Sequence, residues 1–188
     1  FGPGSIIYGS DAIGGTMNFY TLSPQFTLTS RPYIDGSAKY RFSSANNEQT
    51  GHVDFNFGLR NFASLTSITF SSYGDLQMGS DGPSEYLRDF YVTRLGNNDI
   101  INNNSDSELQ IPTGYDQLNI MQKFRFSPND HWYIDYGFHY SGTSDFDRYD
   151  RLIQLRNGNP RSAEWYYGPQ KWMMNNLTIT NLSPTQFY

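Results

Sequence analysis

Cysteine is absent from the 188 residues, which removes disulfides, thiolate metal sites and a cysteine nucleophile while leaving the redox compartment open. No run approaches the roughly 18 consecutive apolar residues of a membrane-crossing helix. The chain opens at Phe1 in mid-motif, without a charged and hydrophobic leader, so residue 1 is expected to lie inside a longer protein. Charge is sparse: 16% of residues, against roughly 25% in ordinary soluble domains. The 13 basic residues are scattered and the net charge is −5. No basic stripe exists to neutralise phosphates, which argues against a nucleic-acid partner. Apolar content is also low, about 38% with glycine counted in place of tyrosine, below the roughly 45–50% of ordinary soluble domains. Together with the lack of any long stretch of helical period, this argues against an ordinary helical enzyme.

Aromatic residues are abundant. Tyr 15, Phe 14 and Trp 3 exclude a disordered chain, which lacks such groups. They recur with a period of two, the spacing that places alternate side chains on opposite faces of a strand. Trp132, Ile134, Tyr136, Phe138 and Tyr140 alternate with Tyr133, Asp135, Gly137 and His139. Val53, Phe55, Phe57 and Leu59 alternate with His52, Asp54, Asn56 and Gly58. Leu118, Ile120, Phe124 and Phe126 do the same, with Gln122 interrupting the apolar face. Ala38, Tyr40 and Phe42 give a shorter version, and Phe62–Tyr73 and Trp172–Leu182 have strand composition with imperfect alternation. Six strands are expected, and the fold class is all-β.

The connectors alternate between short and long. Tight links near Arg60-Asn61 and over 127–131 contrast with the stretches 74–114 and 142–171, which lack an evident periodic pattern. Structureless loops of that length are uncommon inside compact domains. An up-and-down transmembrane β-barrel supplies a geometric reason, with short turns on one rim and long loops on the other. Strands such as Tyr115–Phe126 reach the roughly 9–11 residues needed to cross a bilayer. A half-exposed sheet of a soluble β-sandwich gives the same alternation.

The first twenty residues carry a glycine-punctuated pattern, with a short strand expected over Thr16–Tyr20. It fails as a nucleotide cradle, because Ile7 stands where the third glycine belongs. Gly2, Pro3, Ser5, Tyr8, Gly9, Ala12, Gly14, Gly15 and Asn18 fall in the pattern G-P-x-S-x-x-Y-G-x-x-A-x-G-G-x-x-N. That pattern resembles the end of the plug domain in TonB-dependent outer-membrane receptors. A weaker likeness joins Arg148–Leu152 and Glu164–Gln170 to loops of such receptors in Bacteroidetes-type bacteria.

The resemblance implies that residues 1–24 end a plug, 25–35 connect, and 36–188 begin a 22-stranded antiparallel barrel in the bacterial outer membrane. This chain would then be a fragment supplying about six strands, with a signal peptide, an energy-coupling box and most of the plug lying elsewhere. The implied activity is energy-driven uptake of a scarce nutrient, with the TonB complex and outer-membrane lipid as partners. An iron complex, siderophore or haem, is the first expectation for the ligand, and cobalamin or a glycan follows. The plug-motif residues are expected to be structural, since turns and close backbone approach need glycine.

Candidate ligand contacts are His139, Trp165, Tyr166 and Tyr167. His52 and His139 fall on the polar strand face, where an imidazole could ligate haem iron or line a wet wall. Trp165, Tyr166 and Tyr167 beside Gly168-Pro169 suit stacking on a planar ligand or an interfacial girdle. Asp145, Asp147 and Asp150 crowd one stretch without the glycine and terminal glutamate of an EF-hand, and read as a solvated face. The asparagine-rich run Gly96–Asp106 reads as a polar, mobile loop tip. No catalytic motif is present, so neither an enzyme nor a resident cofactor or metal is expected. A soluble carbohydrate-binding module remains the alternative of a different class.

Overall fold

The structure is a computed structural model that describes residues 17 and 19–182. Gly2, Pro3, Ser5, Tyr8, Gly9, Ala12, Gly14, Gly15 and Asn18 lie outside the described residues. Six long strands form one sheet: β1 (Tyr33–Ser43), β2 (Glu48–Gly58), β3 (Phe62–Tyr73), β4 (Tyr115–Asn129), β5 (Trp132–Thr143) and β6 (Lys171–Asn181). Each is antiparallel to its neighbour, and order in the sheet is order in the chain. All six expected strands are present. β1 begins at Tyr33, before the alternation starts, because Tyr33, Ile34 and Asp35 pair with Gly58, Phe57 and Asn56.

The register gathers the alternating residues of all six strands onto two faces. One face carries Ile34, Tyr40, Val53, Phe55, Ile68, Phe70, Ile120, Phe124, Tyr136, Met173, Leu177 and Ile179. Apart from the half-buried Ile120 these large side chains are exposed; Val53 is at 55% and Leu177 at 63%. Polar groups in the middle of this face bond to one another. Thr66 Oγ1 donates to Gln122 Oε1 at 2.6 Å, Gln122 Nε2 donates to Ser64 Oγ at 3.0 Å, and Tyr136 donates to Asn175 Oδ1 at 2.6 Å. The opposite face is predominantly polar and ionic, from Ser37 and Lys39 on β1 to Asn176 and Thr178 on β6.

Buried apolar side chains are few among the described residues: Ala63 and Leu65 in the sheet, and Val92, Leu152 and Ala163 in the two long connectors. Those connectors carry their own secondary structure, contrary to the expectation of patternless loops. Residues Phe90–Leu95 and Asn98–Asn103 form a hairpin, so the asparagine-rich run is an ordered strand rather than a free tip. Asn104 is buried and donates to the carbonyls of Arg88 and Leu109. The second connector holds a short helix, Tyr149–Leu152, and a small hairpin pairing Leu155-Arg156 with Asn159-Pro160. Arg94 reaches Glu164 at 3.9 Å across the two connectors.

Met17, Phe19 and Tyr20 lie in no strand, a correction to the strand expected over Thr16–Tyr20. This segment is held by side chains instead of a ladder. It runs over the polar face, where Lys123 Nζ donates to Thr21 Oγ1 and to the Leu22 carbonyl, both at 2.7 Å. Asn56 takes the Gln25 amide on its Oδ1 at 2.9 Å and returns a bond to the Gln25 carbonyl at 3.2 Å. Gly58 makes this approach possible, since a Cβ there would stand 2.1 Å from the Gln25 carbonyl oxygen.

Candidate functional site

The polar face is a network of paired groups. Arg125 Nε donates to its cross-strand partner Asp135 at 2.6 Å. His52 Nδ1 lies 2.7 Å from Thr69 Oγ1, and its Nε2 lies 3.3 Å from Asp54, which Ser37 also serves. Glu48 is buried, meets Arg41 at 3.4 Å and accepts from Thr50 at 2.8 Å. His52 is thus engaged on both ring nitrogens.

His139 differs. Among the described residues no side chain hydrogen-bonds to it as Thr69 does to His52, and its ring meets Trp172 edge-on at 6.5 Å. Two cavities open between the Phe19–Pro24 segment and the sheet, about 440 and 420 Å³ in volume. Lys123, Arg125, Asp135 and Met174 line the first; His52, Thr69, Asn119 and Met121 line the second. His139, Trp172 and Thr21 line both. These volumes fall within the size range of small-molecule sites.

Trp165, Tyr166 and Tyr167 belong to neither cavity. Tyr166-Tyr167 pairs with Phe146-Asp147 beyond the end of β5, where rings follow one another: Tyr73 to Tyr115 at 4.8 Å, Tyr115 to Phe146 at 6.0 Å, Phe146 to Tyr167 at 6.2 Å. Arg148 sits 5.1 Å from the Tyr167 ring and donates to its hydroxyl at 2.5 Å; Arg151 sits 5.3 Å from the Trp165 ring. The structure therefore splits the four expected contacts into His139 under the N-terminal segment and an aromatic-arginine cluster on a connector.

Charges in that connector are tuned by their surroundings. Arg148 binds Asp150 through two bonds of 2.7 Å, which holds the Asp150 carboxyl below its ordinary range and raises the guanidinium. Burial, followed by the nearby Asp75 and Asp145 carboxylates, raises Asp147. Asp75 is itself fixed by the amides of Thr113 and Gly114 at 2.6 and 2.9 Å. Among the described residues no group of three His, Asp or Glu side chains is arranged to hold a metal ion.

Sequence reasoning passed over Lys123, Asn56, Trp172, Met121 and Met174 as site residues. Period two places each on the polar face, but only the register shows which stand side by side. Comparison with protein-family models, with curated proteins and with solved structures finds no match.

Proposed function

We propose that this chain forms part of a TonB-dependent outer-membrane receptor that takes up a scarce nutrient, with an iron complex as the first candidate. The observation that carries this reading is the sheet's exposed apolar face. A contiguous apolar surface marks a membrane or an interface, and on this one Thr66, Gln122, Ser64, Tyr136 and Asn175 bond to each other, as polar groups in hydrocarbon must. In this reading that face meets lipid, the opposite face lines the barrel lumen, and the segment before β1 leads out of the plug. The connectors 74–114 and 144–170 are extracellular ligand-capturing loops. Further strands would continue the sheet from β1 and β6 to a closed barrel.

The exposed Trp165 and Tyr166, at 40% and 54%, favour a second reading in which the connector cluster stacks on a sugar ring. This accommodates glycan uptake by the same fold, or a soluble carbohydrate-binding module.

Single cysteines test the first reading, because this stretch has none of its own. In outer membranes of cells making the full-length product, a hydrophilic maleimide should label cysteines at Asp54, Ser67 and Thr69. Cysteines at Val53, Phe55 and Ile68 should stay unlabelled until the protein is unfolded. Equal labelling of both sets refutes the membrane reading. Loss of energy-dependent uptake of ferric siderophore or haem on disruption of the gene then tests the cargo.

A further inference from the structure

One row across the polar face is chemically unlike the rest. Met121 on β4 and Met174 on β6 are the direct cross-strand partners of His139 on β5, one on each side. Of the chain's five methionines, these are the two on the polar face, where a thioether gains nothing from solvent. Directly opposed residues stand about 4.5–5.5 Å apart at Cβ, and the flexible methionine side chain can bring its sulfur over a central ring.

We infer that Met121, His139 and Met174 form a soft-metal site for monovalent copper. Thioether and imidazole donors together select copper, and thioethers in particular select its reduced ion, whereas harder divalent ions want carboxylates or water. The row's one carboxylate, Asp54 on β2, is separated from Met121 by Ser67 on β3 and is taken by Ser37 and His52. Lys123, two residues from Met121 on the same face, has its ammonium committed to Thr21 and Leu22. A fixed positive neighbour penalises a divalent ion about twice as much as a monovalent one. All three donors rise from one surface, so they enclose a single ion from below. They cannot flank a macrocycle from its two sides, which sets this site apart from a bis-ligated haem. The two cavities meet at His139 and Trp172 and leave the row open to an ion arriving beneath Thr21. The assignment rests on strand register and holds whether or not the sheet spans a membrane.

The test is a titration of the purified full-length product in detergent with copper under ascorbate, against a chromophoric copper(I) chelator. One copper(I) per chain should be withdrawn from the chelator, and X-ray absorption should show sulfur and imidazole nitrogen bound to it. Met121→Leu with Met174→Leu, which keeps side-chain volume, should weaken capture at least tenfold. Met173→Leu, on the opposite face, should leave it unchanged. The assignment is overturned if the native chain fails to compete, if its copper is bound without sulfur, or if zinc or nickel binds more tightly. Because the absorption spectrum is taken on the native chain, the assignment stays falsifiable even if the leucine variants misfold.

Discussion

Thr66 and Gln122 are cross-strand partners in the middle of the apolar face, and the threonine hydroxyl closes the glutamine carbonyl at 2.6 Å. Removing one member strands the other. Thr66→Val should cost about 1–3 kcal/mol, the penalty of a desolvated acceptor left unmade. The double variant Thr66→Val with Gln122→Leu should recover most of that loss. Urea unfolding in lipid vesicles measures the cycle, and additive losses would show that water, not hydrocarbon, covers this face.

Gly58 and Lys123 hold the N-terminal segment to the polar face by different means, close approach and a cationic clamp. Gly58→Ala places a methyl group against the Gln25 carbonyl and should break both Gln25–Asn56 bonds. Lys123→Met removes the bonds to Thr21 and Leu22. Hydrogen exchange should quicken at the Gln25 amide in the first variant. In the second, proteolysis around Thr21 should quicken while β2 to β5 remain protected.

Asp147 and Asp150 give the second long connector opposing responses to acid. Asp147 has a raised proton affinity in the folded state, so its protonation strengthens the folded connector as pH falls through that raised value. The gain is complete below the ordinary carboxylate range. Asp150 is depressed by Arg148, so its contribution is full above that range and is lost as pH falls through the depressed value. Protection over 144–170, the exchange rate of each amide relative to its intrinsic rate at that pH, should therefore rise on mild acidification and fall again at lower pH. Asp147→Asn should abolish the first phase alone.

Arg125 and Asp135 are part-exposed, each near 30%, and bonded at 2.6 Å. Asp135→Asn should cost no more than about 1 kcal/mol, as for other solvent-screened pairs. The difference from the native chain should shrink further in 1 M salt; a loss of several kcal/mol would place the pair in a drier setting than its exposure indicates.

The sheet was legible in the sequence because period two survives on both faces. Where alternation faltered, at Ser64, Thr66 and Gln122, the cause is a lateral hydrogen-bonded cluster that single-strand reasoning cannot see. The connector hairpins had a signal that was passed over. Gly96-Asn97 and Asn157-Gly158 are two-residue turns of the kind that joins paired strands, and Gly96, Asn157 and Gly158 adopt positive φ. The separation of His139 from Trp165, Tyr166 and Tyr167 was not legible, because it depends on how far β5 continues past Tyr140. The neighbours Met121 and Met174 emerged only from the register across three strands.

The margins of the sheet have a consequence for synthesis. Among the described residues no strand pairs with the outer side of β1 or of β6, each 11 residues long and flanked by exposed apolar side chains. Such margins are templates for stacking into cross-β fibres. Produced alone in water, this stretch should polymerise faster than it folds, so soluble preparations depend on whatever occupies those two margins first.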